Sequence, residues 1–306
     1  MKALRITSLE RARQTSPYAY GIGLILASAF FFSLMSLCVR LSRQMFRPDA
    51  TVFYRNLIQV LVLLPGCSQY FRGGSLWDKI RAHFPRGAFG VVSMFFLYIA
   101  LHHLPLGLAY LLAMTSAPWA TLLARVFLKE TLTQAQAIYG SVCLVGVATA
   151  LVLSHREGEA WGLDSVGVMS GLAAGFCMGM AMTILRRMRG TMGTREIVFF
   201  FGMTGMVFSL PGFWVQPQWP RDFTEAGFLL LIGVPAAIGQ LLLTTGFRYT
   251  TTMAAATSNL SQILITLVLG FFVLGEKPPW GFYLGAGLLA LGIWGLVRSR
   301  PKAVLG

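Results

Sequence analysis

Residues 96–146, FLYIALHHLPLGLAYLLAMTSAPWATLLARVFLKETLTQAQAIYGSVCLVG, and residues 242–292, LLTTGFRYTTTMAAATSNLSQILITLVLGFFVLGEKPPWGFYLGAGLLALG, carry one pattern twice. In each, a long apolar run meets a short junction with a glutamate, and a second apolar run follows, ending on glycine. An offset of 146 residues lays Glu130 on Glu276 and Gly146 on Gly292. A helix rises about 1.5 Å per residue and a bilayer's hydrocarbon layer is about 30 Å thick, so roughly 20 uncharged residues suffice to cross it. The runs flanking each glutamate have that length.

Working outward, the same ungapped register holds along the chain. Arg40 and Arg43 meet Arg186 and Arg189, Leu64-Pro65 meets Leu210-Pro211, and Gly87 meets Gly233. Charges and helix breakers are scarce here, so their agreement carries more weight than apolar identities do. Ten spans are predicted, at 19–39, 50–66, 87–102, 106–127, 135–153, 165–185, 197–215, 226–247, 249–274 and 279–297. The expected fold is therefore an all-α integral membrane protein: ten transmembrane helices in two five-helix repeats. Five is odd, so the second repeat enters the membrane from the opposite side and the repeats are inverted, an arrangement common in carriers. The predicted organisation is a tail at 1–17, a first repeat at 18–153, a linker at 154–164, a second repeat at 165–298 and a tail at 299–306.

Composition agrees. Hydrophobic residues make up 56% of the 306 and charged residues 12%, against about 25% charged in a soluble domain, and the mean hydropathy is +0.66. The net charge of +14 would suggest nucleic acid in a soluble protein. Here the cations cluster in short loops beside apolar runs, and no nucleic-acid partner is expected. Lys and Arg crowd the N-terminus, 67–86, 124–134, 186–195 and the C-terminus, whereas the other side has only Arg40, Arg43, Arg47, Arg156, Arg221 and Lys277. The positive-inside rule then puts both termini and the linker on opposite faces, termini cytoplasmic and linker periplasmic, in a bacterial inner membrane. The basic start before Ala27-Ser28-Ala29 imitates a signal peptide, but the apolar run continues to Val39 and has a counterpart in the second half. The four cysteines are scattered, with neither disulfide nor zinc spacing, and no metal or cofactor is expected.

The two quoted segments, with Glu130, Gly140 and Gly146, resemble EamA-type members of the drug/metabolite transporter superfamily over residues 18–298. Arg55 in VFYRNLIQVLVLLP resembles an arginine common in the second helix of such proteins, and the second half departs from it with Phe201 at the matching position. The resemblance implies a central cavity lined by the first, third, fourth, sixth, eighth and ninth spans, with the fifth and tenth peripheral. It also implies a secondary carrier that exports an amino acid or other small polar metabolite. Import of a vitamin, S-adenosylmethionine or a carboxylate is the alternative. The bilayer and a small-molecule substrate are the expected partners, with monomer and homodimer both open.

The candidate substrate-binding residues are Arg55, Tyr98, Tyr110, Met114, Trp119, Gln240, Asn259 and Gln262. A charge inside a span costs about 2.5 kcal/mol or more and by default faces a cavity or a partner. Arg55 reads either as an anion contact or as a structural arginine bonded to backbone, with Asn56 and Gln59 extending its polar patch. Asn259, Gln262 and Thr266 share one helix face. Trp119 lies mid-span, as a stacking platform or as packing between helices. The acidic residues all fall in loops or at helix ends, which disfavours a buried carboxylate relay. Glu130 and Glu276 read as structural, Thr133-x-x-Gln136 as a capping box, and Pro118 and Pro235 as kinks or cavity openings. Gly167, Gly171, Gly175 and Gly179 recur every fourth residue, which permits close packing. With no His-Glu-x-x-His, Gly-x-Ser-x-Gly or Walker motif, catalysis is not expected.

Overall fold

The computed structural model describes residues 16–65, 75–128, 133–156, 164–188, 193–249 and 252–299. Most of both expected tails, Glu130, Cys67, nearly all of the linker and the side chain of Asn259 lie outside the described residues. Among those residues all regular structure is helical: α1 (Pro17–Leu41), a 3-10 turn (Ser42–Gln44), α2 (Pro48–Leu63), α3 (Leu76–His103), α4 (Leu106–Ala113), α5 (Ser116–Leu128), α6 (Gln134–Arg156), α7 (Ser165–Met188), α8 (Thr194–Val215), α9 (Phe223–Tyr249), α10 (Thr252–Leu274) and α11 (Trp280–Arg298). Among the described residues, seven stretches are long and apolar enough to cross a membrane: Pro17–Gln44, Trp77–His103, Leu106–Phe127, Gln134–Leu153, Ser165–Leu185, Thr194–Val215 and Phe223–Tyr249. Ser261–Leu274 and Trp280–Leu296 are shorter apolar helices.

The third helix begins at Leu76, well before the expected 87. Ser75 caps it by accepting the Trp77 N–H at 3.2 Å. Charges that read as a loop find partners on another helix: Lys79 and His83 each lie 3.5 Å from the Glu196 carboxylate on α8. The fourth expected span is instead two helices meeting at Met114-Thr115. Pro118 explains the break, because a proline ring clashes with the carbonyl four residues earlier, here that of Met114. The sixth-span glycine stripe receives this break. A Cβ on Gly175 would meet Thr115 Oγ1 and the Leu112 carbonyl, one on Gly171 would meet Leu112, and one on Gly179 would meet Trp119 and the Ser116 carbonyl. The stripe is thus packing within the monomer, against α4 and α5.

Helices pair α1 with α9 and α10, α2 with α8 and α9, α3 with α7 and α8, α5 with α7, and α6 with α11. In the α6–α11 pair the backbones touch: a Cβ on Gly146 would lie 2.6 Å from Leu289 N and 2.8 Å from Gly285 O, and one on Gly292 2.7 Å from Cys143 N and 2.8 Å from Tyr139 O. At the N-terminus of α6 the capping box forms, Thr133 N–H donating to Gln136 Oε1 at 3.0 Å and Gln136 N–H to Thr133 Oγ1 at 3.2 Å.

Glu276 is structural in a specific way. Gly275, at φ +65, ends α10 in the left-handed region and turns the chain. The Glu276 carboxylate then accepts the Leu106 N–H at the start of α4, at 3.0 and 3.2 Å, and lies 3.9 Å from Arg40 Nε. Arg40 Nη1 donates to the carbonyls of Leu101 and His102, each at 2.9 Å. One clasp therefore ties α1, α3, α4 and the α10–α11 turn. Burial pushes the Glu276 carboxyl above its ordinary range, while the Leu106 N–H and then Arg40 and Arg43 pull it back.

Gly146→Val is expected to lower apparent unfolding stability by about 1–3 kcal/mol, the usual cost of overpacking, because backbone atoms cannot yield. Gly287→Ala, with nothing near its added Cβ, should stay within about 0.5 kcal/mol of the parent. Thermal melts of the two purified variants in one detergent check both.

Candidate functional site

The polar residues of the core converge. Arg55, in α2, is 2% exposed; its Nη1 donates to Asn56 Oδ1 at 2.8 Å, and Asn56 Nδ2 donates to Val52 O at 2.7 Å. The guanidinium also interacts electrostatically with the hydroxyls of Tyr98 in α3 and Tyr110 in α4. Tyr98 in turn donates to Met35 Sδ at 3.3 Å. The Tyr110 hydroxyl shares a short hydrogen bond with Ser36 of α1 and interacts with the Gln262 side chain of α10. Five helices thus place polar groups in one buried network, Ser36–Tyr110–Gln262 on one side and Arg55–Tyr98–Met35 on the other.

Helix geometry explains why these side chains meet. Ser33 and Ser36 sit on the face of α1 toward α10, with Ser33 Oγ 3.5 Å from the Gln262 carbonyl. Both serines and Thr266 also return their hydroxyls to carbonyls one turn back, at 2.8 Å, so each is satisfied without water. Gln59, one turn beyond Arg55, donates to Val198 O of α8 at 2.7 Å, and its Oε1 is left without a partner.

Phe201 of α8 lies under Arg55, the guanidinium carbon 5.3 Å from the ring centroid. A second guanidinium, that of Arg86 in α3, lies 5.2 Å from the same ring. Arg86 is 6% exposed, and its Nε and Nη1 have no partner, as is true of Arg55 Nε. Sequence reasoning missed Arg86 by counting it among loop cations. The usable signal was the helix period, since Arg86 precedes Gly90 by one turn and Gly90 packs on Phe201.

Of the residues expected to bind substrate, the structure brings Arg55, Tyr98, Tyr110 and Gln262 into the network. Met114 packs against the same core at the α4–α5 break, and Gln240 is buried in α9. Trp119 belongs to the α5–α7 contact instead: it stands edge-on to Phe176 at 5.2 Å, with its Cβ beside Gly179. No group of His, Cys, Asp and Glu among the described residues could hold a metal ion.

A model of the EamA-like transporter family matches residues 19–152 and again residues 165–298. The chain is 25% identical to the pseudopaline exporter CntI of Pseudomonas aeruginosa over 92% of its own length and 96% of that protein's. It is 30% identical to a protein of Streptantibioticus cattleyicolor named "Probable terminal-alkyne amino-acid exporter", over 66% of each chain. A solved crystal structure, 18% identical, superposes with a TM-score of 0.65 over 92% of this chain and 97% of that one, a likeness of fold.

The Tyr110 hydroxyl ties α4 to α1, so Tyr110→Phe removes the hydrogen bond that Ser36 makes outside its own helix. A loss of about 1–3 kcal/mol is expected. In a double-mutant cycle with Ser36→Ala, measured by thermal denaturation, the two losses should fall short of adding.

Proposed function

Because the chain belongs to the EamA-like transporter family, we propose that it is a secondary carrier exporting an amino acid or amino-acid derivative across the bacterial inner membrane by alternating access. The observation that carries this reading is the convergence of Arg55, Tyr98, Tyr110 and Gln262 in the core. It is buried, it draws on helices from both family matches, and it is built of hydrogen-bonding and aromatic groups suited to a polar solute. Two relatives bearing exporter names favour the outward direction.

In this reading ten spans form two inverted repeats, α4 and α5 together making the fourth, with both termini cytoplasmic. Several features support the repeat. One family model matches each half. Contacts also recur when 146 is added to one partner and subtracted from the other: Gly87 packs on Thr204 and Gly233 on Ile58, and Gly146 packs on Leu289 while Gly292 packs on Cys143. Residues that touch their own equivalents would lie on the twofold axis. Cys143 with Leu289, at 3.8 Å, and Arg55 with Phe201 are such pairs. The network then surrounds the axis, where rocking one half against the other changes access while the site stays in place. The Arg40–Glu276 clasp closes one end and would have to open in each cycle.

In proteoliposomes preloaded with an unlabelled amino acid, counterflow of the labelled one should saturate with concentration and need no ATP. Arg55→Gln should reduce it by about tenfold or more. Flux rising linearly without saturation would replace the carrier with a channel.

A further inference from the structure

Arg86 meets the Phe201 ring, but its Nε and Nη1 have no hydrogen-bond partner. Like Arg55 it is more than nine-tenths buried, and between them three guanidinium nitrogens lack a partner. Both distances are to the Phe201 ring, 5.3 and 5.2 Å, so the two charges lie at most about 10.5 Å apart, close enough in a low-dielectric interior for each to raise the cost of the other. Carboxylates that might offset them are engaged elsewhere: Glu196 of α8 with Lys79 and His83, and Asp49 of α2 with Arg47 at 3.2 Å. The groups coupled to Arg55 are tyrosines. Two unpaired buried cations on one aromatic ring is an arrangement that a purely structural role disfavours, since apolar residues of similar volume would pack there at lower cost.

We propose that Arg55 and Arg86 form a two-cation receptor for a substrate with two carboxylates, such as an acidic amino acid or an amino-acid derivative bearing a second acid group. Each guanidinium offers paired N–H donors that match a carboxylate, and Phe201 spaces them. Arg55 is held in place by Asn56 and the Phe201 ring and takes one carboxylate. Arg86, with more free donors, reads the second. This deepens the carrier reading and rests on it for the word substrate, although binding can be measured without transport.

The test is ligand stabilisation of the purified full-length protein by L-glutamine, L-glutamate and glutarate, at one pH and one ionic strength set with sodium chloride. Glutamine and glutamate differ in little beyond one charge. The expected result is an apparent affinity for L-glutamate and glutarate about tenfold or more tighter than for L-glutamine, as loss of a charged hydrogen-bonded contact implies. Arg86→Met should erase that preference while the ligand-free variant melts higher than the parent, because an unpaired buried charge has been removed. Equal affinities in the parent, no stabilisation by any of the three, or a preference that survives Arg86→Met would overturn the proposal. So would a variant that melts lower or fails to fold, since either assigns Arg86 to structure. Saturable counterflow of amino acids without a preference for the second carboxylate would remove the two-carboxylate site and leave the carrier. Glutamate binding without saturable flux would do the reverse.

Discussion

A bilayer interior offers no water to hold a backbone N–H or carbonyl, so every segment that crosses it must satisfy its own peptide groups. Helices do this alone, and once they have, little hydrophobic drive remains to bring them together. Packing must come from close approach, and the glycines supply it. On α7 the stripe admits α4 and α5 at the point where Pro118 forces the break. On α6 and α11, Gly146 and Gly292 let two backbones touch. The polar network inside could not be positioned to within hydrogen-bond distance if these contacts were looser.

A twofold relation between halves places a restriction on its own axis. A residue there meets its equivalent, so an arginine duplicated at that point would face another arginine at close range. Arg55 instead meets Phe201, and the departure from the repeat that is visible at this position in the sequence acquires a physical reason. The aromatic face attracts the cation and leaves Arg55 Nε free. On the proposed inverted-repeat reading, Arg55 opposite Phe201 makes the axis chemically asymmetric.

Much of this was legible in the residues. The apolar runs give the helices, the four-residue glycine spacing gives the α7 face, and Arg55, Tyr98, Tyr110 and Gln262 were recognisable as polar groups with no reason to lie in lipid. What escaped was tertiary. Nothing local shows that α3 starts at Leu76, because Lys79 and His83 are tolerated only through Glu196, more than a hundred residues away. With that start hidden, Arg86 reads as one more loop cation. Trp119 was legible as mid-span but not as facing Phe176, since either face of α5 suits an aromatic ring.

The clasp and the network bear on each other through α4. Its first N–H is held by Glu276, and Tyr110, four residues on, shares a hydrogen bond with Ser36. Only two residues separate α4 from α5, and Pro118 removes the hydrogen bond that would have stiffened the junction. The anchors thus lie at the start and middle of a short helix whose far end meets a built-in break. Rearrangement of Tyr110 around a solute would therefore load the Leu106–Glu276 contact directly. Tyr110 stands about one helical turn from Leu106, so the proposed carrier needs no longer path between binding and opening.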